Sequence, residues 1–298
     1  MTKAATAPRV TQGSVAVDGV RFHLLRAEPT RKRKTTPTLL LHGVPETSAC
    51  WRDLMPELAR DRVVIAPDLK GLGSSEAREP YDVATLSAEL AALILHEVDG
   101  PVDIVGHDWG GSIALALAGR RPDLVRRLVV VSAPFRKVNL VAAWHIPLFW
   151  LPVLPETAFR LAGDQIVRRM FDYAWRGSEP LPADVLDGYV AAYTPSDRVS
   201  AMLAYYRAAI TSRVRASLAP LGVGGATTEG ETPRVNVERS LVVWGTADPS
   251  LPLSVGESVV TDLGAGTTML TLPGVGHWPV EEAPDVVIPA IADFLRAP

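Results

Sequence analysis

Hydrophobic and polar residues alternate through "GSVAVDGVRFHLLRA", residues 13–27, with one break at Asp18-Gly19. A period of two turns one face of a strand inward, and Asp-Gly is a two-residue hairpin turn, so this stretch predicts an antiparallel hairpin. Further along, alternation gives way to short unbroken apolar runs. "TLLLH" (38–42), "RVVIAPD" (62–68), "VDIVG" (102–106), "RLVVVSAP" (127–134), "SLVVWG" (240–245) and "TMLTLPG" (268–274) predict strands, the first two of them buried. Between them, "WRDLMPELA" (51–59), "TLSAELAALILHEV" (85–98), residues 110–120, and segments near 252–262 and 284–296 predict helices.

Strands that alternate with helices imply an α/β fold, a mostly parallel sheet flanked by helices. The alternation stops after Pro134. Residues 135–219 carry helical patterns and no strand pattern, so a helical cap interrupts a core made of residues 1–134 and 220–298. Thr194-Pro195-Ser196-Asp197 offers an N-cap and a first-turn proline for one cap helix. "LGVGGATTEGETPRV", residues 221–235, is Gly/Thr-rich and reads as a mobile loop. The most apolar stretch is "LVAAWHIPLFWLPVLP", residues 140–155, broken by Pro147, Pro152 and Pro155. It is short for a membrane span and reads as the lining or entrance of a greasy pocket, with contact to a membrane surface the weaker option.

Composition narrows the partners. With 298 residues, 47% of them hydrophobic, the chain can build a large core, and a net charge of −3 calls for no polyanion. The basic cluster Arg31-Lys32-Arg33-Lys34 lies between two strands and reads as a solvated loop, so no nucleic acid partner is expected. Cys50 is the single cysteine, which excludes an internal disulfide and suits a reducing, cytoplasmic setting. The N-terminal "MTKAATAPRVTQG" lacks the apolar core of a signal peptide. No Cys/His cluster suggests a metal, and Gly71-Leu72-Gly73 lacks the third glycine of a dinucleotide fingerprint, so no cofactor is expected.

The chemistry points to "DIVGHDWGGSIALALAG", residues 103–119, which runs strand, turn, helix. Its apex has the Gly-x-Nuc-x-Gly frame of a nucleophile elbow, with Asp108 where serine is usual. Aspartate there could cap the following helix, but a cap does not need glycines on both sides. A carboxylate gains little by attacking an acyl carbonyl. It can displace a leaving group at saturated carbon and become an alkyl ester, which water then cleaves. His277, in "LPGVGHWPVEE", would be the base for that water, and Asp248, in "WGTADPSLP", its orienting partner, in the chain order expected of this architecture. The backbone N–H groups of Trp109 and of Val44, in "LHGVPETSACW", would hold the oxyanion.

"HGVPE", "DLKGLGSS", "GHDWGG" and "LPGVGHWP" together resemble the α/β-hydrolase superfamily, and in particular its epoxide hydrolase branch, over nearly the whole chain beyond residue 10. The resemblance implies conversion of an epoxide to a vicinal diol through an ester on Asp108, with two cap tyrosines serving the epoxide oxygen; the apolar cap, with Trp144, Phe149, Trp150 and Trp175, suggests a lipophilic or aromatic substituent. Tyr206, which precedes Arg207, matches the second of these, and Tyr173 is the candidate for the first, with Tyr189 and Tyr193 in reserve. Tyr205 and Tyr206 lie about 100° apart on a helix and cannot both face one oxygen. Haloalkane dehalogenases share the aspartate but commonly carry an asparagine where Val44 stands, and a halide needs no acid. Trp144 and His145 occur in reversed order relative to the halide-binding pair of fluoroacetate dehalogenases and read as coincidence. A third possibility is a ligand-binding protein of the same fold.

Overall fold

A computed structural model describes residues 8–29, 35–218 and 234–298, so the basic cluster at 31–34 and residues 221–233 of the Gly/Thr-rich segment lie outside the described residues. The chain opens with the hairpin β1 (Val10–Val17) and β2 (Val20–Ala27), which pair antiparallel across Asp18-Gly19. Both turn residues have positive φ, 49° and 78°, as the tight two-residue hairpin turn demands. Strands β3 (Thr38–Leu41), β4 (Val64–Pro67), β5 (Val102–His107), β6 (Val125–Val131), β7 (Arg239–Gly245) and β8 (Thr267–Leu272) complete one eight-stranded sheet, ordered β1-β2-β4-β3-β5-β6-β7-β8. From β4 to β8 every pairing is parallel. All residues of β3, β4 and β5 are buried, as strands covered on both faces must be.

The helices between strands fall where the apolar spacing puts them, with shifted ends. The segment after β3 divides into a 3₁₀ turn at Ser48–Trp51 and the short α1 (Leu54–Leu58). Helix α2 (Val83–Glu97) starts where the Asp82 carboxylate accepts the Thr85 N–H, and α3 (Asp108–Arg120) starts at the elbow itself, two residues earlier than the spacing indicates. Strand β6 ends at Val131, short of Pro134, because Ser132 leaves the extended region with φ 41°.

Between β6 and β7 the described chain is helical: α4 (His145–Trp150), α5 (Leu154–Ala174), α6 (Ala183–Ala192) and α7 (Ser196–Leu218). The start of α7 differs from the sequence expectation. Pro195 precedes the helix, and its carbonyl accepts the Arg198 and Val199 N–H groups. The Thr194 hydroxyl instead donates back to the Val190 carbonyl at the end of α6. Helices α8 (Leu253–Leu263), α9 (Pro279–Glu282) and α10 (Pro284–Arg296) finish the fold. Among the described residues no helix is long and apolar enough to cross a membrane.

Helix α3 packs its small residues close against the sheet. At Gly110 a Cβ would lie 2.2 Å from the Leu41 carbonyl oxygen, which belongs to backbone and cannot swing aside. Gly110→Ala therefore forces the helix off the sheet, at a cost of about 1–3 kcal/mol. Its thermal midpoint, followed by circular dichroism, should fall by several degrees. Gly188→Ala, on α6 with open space around it, should match or slightly exceed the wild type. Equal midpoints for the two variants would refute the close-approach argument.

Candidate active site

The loops at the carboxyl ends of β3, β5, β7 and β8 bring Val44, Asp108, Asp248 and His277 together, the edge where parallel sheets bind ligands. Asp108 is the first residue of α3 and has φ 45°, a left-handed conformation unusual for a side chain with a Cβ. His107, not Asp108, occupies the N-cap position, so the carboxylate is left for other partners. Its Oδ2 accepts the Val44 N–H at 3.1 Å. Gly43 makes this approach possible, since a Cβ there would stand 2.7 Å from the Asp108 Cβ. The adjoining Val44–Pro45 peptide is cis. Trp109 is the second residue of α3, so its N–H is one of the four that no intrahelical carbonyl can take.

His277 Nε2 lies 4.0 Å from Asp108 Oδ1, beyond direct hydrogen bonding. On its other side, Nδ1 donates to Asp248 Oδ2 at 2.6 Å. Asp248 is itself held by its Oδ1, which accepts the Ser250 and Leu251 N–H groups, both at 2.9 Å. Burial disfavours charge on both partners, but each stabilises the other. The Asp248 carboxyl stays below its ordinary value, and the His277 imidazole rises above its own.

Beneath this pair lies a second ionic contact that the sequence reading did not single out. His107 Nδ1 meets Glu46 Oε2 at 2.7 Å, and His107 Nε2 meets the His277 carbonyl oxygen at 2.9 Å. Burial would strip the His107 proton, but the Glu46 carboxylate outweighs it and holds the imidazole up to about 9. His107 is therefore a cation with both N–H groups donating, one of them to the backbone of His277. Both residues sit inside quoted motifs, "HGVPE" and "GHDWGG", and only their mutual contact was invisible.

Above Asp108 opens a cavity of about 1610 Å³. Its wall includes Val44, Asp108, Trp109, His277, Tyr173 and Tyr206. Tyr206 is 5% exposed and its ring meets Trp109 edge to face, with centroids 5.1 Å apart. Burial and the Asp108 charge both raise its phenol pKa, so it stays protonated. Tyr205 points elsewhere: its hydroxyl donates to the Lys70 carbonyl at 2.6 Å. Tyr189 and Tyr193 are also engaged, donating to Glu281 Oε1 (3.0 Å) and to the Glu46 carbonyl (2.9 Å). Tyr173 reaches the wall from its outer part, 42% exposed and edge-on to Trp144.

His145 is the side chain the sequence reading set aside. It lines the cavity, and its ring lies 6.0 Å from that of Tyr206 and 5.7 Å from that of Phe149. Burial outweighs the nearby Asp108 charge and lowers its pKa to about 4, so the imidazole is neutral. A signal for it was present, because His145 is the single ionisable residue in the apolar run 140–155. That run does line the cavity, through Leu140, Trp144, Ile146, Leu148, Phe149 and Leu154. Trp150 and Trp175 do not join them; the Trp175 indole donates to the Glu179 carbonyl. Among the described residues no cluster of three or more His, Cys, Asp or Glu could hold a metal ion.

Comparison with known proteins identifies the fold family. The family described as "alpha/beta hydrolase fold" matches residues 36–284. Epoxide hydrolase 3 of Xenopus tropicalis is 27% identical over 298 aligned residues, spanning 93% of this chain and 75% of that protein. Among solved structures, Cfl2 from Burkholderia cenocepacia is 25% identical with a TM-score of 0.80, covering 99% of this chain and 98% of that one. Epoxide hydrolase A from Mycobacterium thermoresistibile is 26% identical with a TM-score of 0.77, covering 97% and 99%. The matched span is most of the sequence, and this chain belongs to the alpha/beta hydrolase fold family.

Proposed function

We propose that this protein is an epoxide hydrolase that opens a lipophilic epoxide to a vicinal diol through an ester on Asp108. The names of its relatives support an enzyme of this branch. The observation that carries the reading is that Asp108 and the buried Tyr206 line one mostly apolar cavity. Residues 135–219 serve as the cap and residues 1–134 and 220–298 as the core.

Asp108 Oδ1 attacks an oxirane carbon while Oδ2 remains on the Val44 N–H. The carbon–oxygen bond breaks, and the alkoxide takes the Tyr206 proton. An alkoxide is about as basic as hydroxide, whose conjugate acid has a pKa of ~16, so it deprotonates even a phenol whose pKa is raised. His145, neutral and beside Tyr206, donates the second hydrogen bond to that oxygen. We assign it this role in preference to Tyr173, which is nearly half exposed. In the second step His277 Nε2 takes a proton from water, and the hydroxide attacks the Asp108 ester carbonyl. That carbonyl oxygen is Oδ2, already on the Val44 N–H, so the oxyanion develops against a donor in place, joined by the Trp109 N–H. Asp248 stabilises the transient imidazolium. Collapse releases the diol, and the His277 proton returns to the Tyr206 phenolate through solvent.

The rival is halide displacement by the same aspartate. Val44 has no side-chain donor for a halide, and a halide makes no use of the Tyr206 proton. A single turnover of excess enzyme in ¹⁸O-water separates the two. Styrene oxide should give diol whose first turnover carries unlabelled oxygen from Asp108. Bromide release from 1-bromobutane without any diol from styrene oxide would overturn the epoxide reading.

Further outcomes follow from the roles assigned. Replacing His277 by Gln should trap the ester, visible as a mass increase on the peptide containing Asp108; normal turnover by this variant would exclude the two-step scheme. Tyr206→Phe should slow ring opening by roughly 10²–10⁴-fold, the usual contribution of a general acid. His145→Phe should also slow it, and Tyr173→Phe much less, in single-turnover assays; the reverse ranking would return the second position to Tyr173. Finally, His277 must be neutral to act as base, and Asp248 raises its pKa. The hydrolytic step should therefore fail as pH drops through a value above the ordinary ~6.5 of histidine. Asp248→Asn should move that acid limb to lower pH, and an unmoved limb would assign the titration to another group.

A further inference from the structure

Three contacts hold His277. Asp248 holds its ring, and His107 holds its carbonyl oxygen. The third is its N–H, which donates to the Ala174 carbonyl at 3.1 Å. Ala174 ends α5, so its carbonyl is one of the four that no residue of the helix can satisfy. The two segments meet closely here: at Gly276 a Cβ would stand 2.1 Å from the Ala174 carbonyl oxygen. Trp278 adds to the contact, its ring stacked on Phe171 of α5 with centroids 4.6 Å apart.

One side chain binds both sides of this junction. Glu282 Oε2 accepts the Gly276 N–H at 2.8 Å, and Oε1 accepts the Trp278 N–H at 2.9 Å. The carboxylate thus takes the N–H groups on either side of His277. Its Oε2 also accepts the Arg176 N–H at 2.8 Å, from the chain just beyond α5. A carboxylate that only closed the turn before α9 would have its partners in Gly276 and Trp278. The Arg176 N–H belongs to another segment and gives Glu282 a second attachment. Glu282 does not line the cavity.

The two chemical steps make different demands on this junction. Ring opening uses Asp108 and Tyr206 and needs no base. Hydrolysis needs His277 Nε2, 4.0 Å from Asp108 Oδ1, to be aimed at a water beside the ester. We propose that Glu282 is a positioning residue for the hydrolytic step: it clamps the His277 loop to the end of α5 and so fixes the reach of Nε2 toward Asp108. The inference rests on the two-step reading above and adds to it a residue that touches neither substrate nor Asp108.

Rapid-quench experiments with styrene oxide, following the mass of the Asp108 peptide, give the formation and the decay of the ester separately. Glu282→Gln keeps the length of the side chain but turns one acceptor oxygen into an amide that cannot accept. Ester formation should stay within about twofold of wild type. Decay should slow by roughly tenfold or more, since a misplacement of about 1 Å can cost ~10²-fold. In the steady state kcat and KM should then fall together as ester accumulates. A purely structural role would lower the active fraction, reducing kcat at unchanged KM; that result, or decay at the wild-type rate, would overturn the proposal. Glu282→Asp keeps the charge and draws it back by one methylene. It should show the same split to a smaller degree, and it decides the matter if the glutamine variant does not fold. His277→Gln is the reference. If it accumulates ester and the Glu282 variants do not, the positioning role alone fails. If it accumulates none, the two-step reading fails and this inference with it.

Discussion

Asp108 is held in a backbone conformation that its own side chain disfavours, and the rest of the site is arranged around keeping it there. A φ of 45° costs a residue with a Cβ roughly 1–3 kcal/mol. The surroundings offset this. The Gly110 N–H donates to the His42 carbonyl at 3.1 Å, tying the first turn of α3 to the loop after β3. Gly43 passes directly beside the Asp108 Cβ, and Val44 donates to its carboxylate. The elbow and the loop are therefore one unit. Neither could hold its shape without the glycines of the other.

That unit extends downward through buried charge. Glu46 comes from the loop after β3, His107 ends β5, and His277 follows β8. The His107 cation joins all three. Glu46 keeps it charged, and its second N–H holds the backbone of His277, whose Nε2 lies 4.0 Å from Asp108. The loops that follow β3, β5 and β8, far apart in sequence, thus meet at one buried ion pair at the carboxyl edge of the sheet. Tyr193, donating to the Glu46 carbonyl, brings the inserted helices to the same anchor.

Much of this was legible in the sequence. Unbroken apolar runs mark buried parallel strands because both faces are covered, and the Gly-x-Asp-x-Gly frame marks the elbow because only such a turn needs glycines there. Helix geometry keeps Tyr205 and Tyr206 from facing one oxygen together, and the resemblance selects Tyr206 through the arginine that follows it; the Tyr205 hydroxyl goes to Lys70. What could not be read is set by long-range packing. Thr194 has the chemistry of an N-cap, yet it closes α6, because that choice depends on where α7 begins. Trp144 and Trp150 look alike in one apolar run, yet only one reaches the cavity. The order of Trp144 and His145 along the chain says nothing of where they lie, because the placement of His145 depends on α4 packing against α7. The Glu46–His107 contact joins residues 61 positions apart, and nothing local signals it.

Tyr205 gives α7 a fixed rotational phase. Its hydroxyl is bonded to the core backbone at Lys70, and its ring stacks on Tyr81 at 5.4 Å. The helix cannot turn about its axis without breaking that attachment, so the aim of the next residue is set by a neighbour that never touches a ligand. Beyond it, Arg207 bonds to Glu156 and the Leu151 carbonyl, and Arg213 to the Phe135 and Arg136 carbonyls, all outside the sheet. One helix is thus pinned to the core at Tyr205 and, further along, to its neighbours outside the sheet. Evolution can lengthen, shorten or recolour the far wall of the pocket, and so change what is admitted, while the tyrosine at the pivot keeps its bearing.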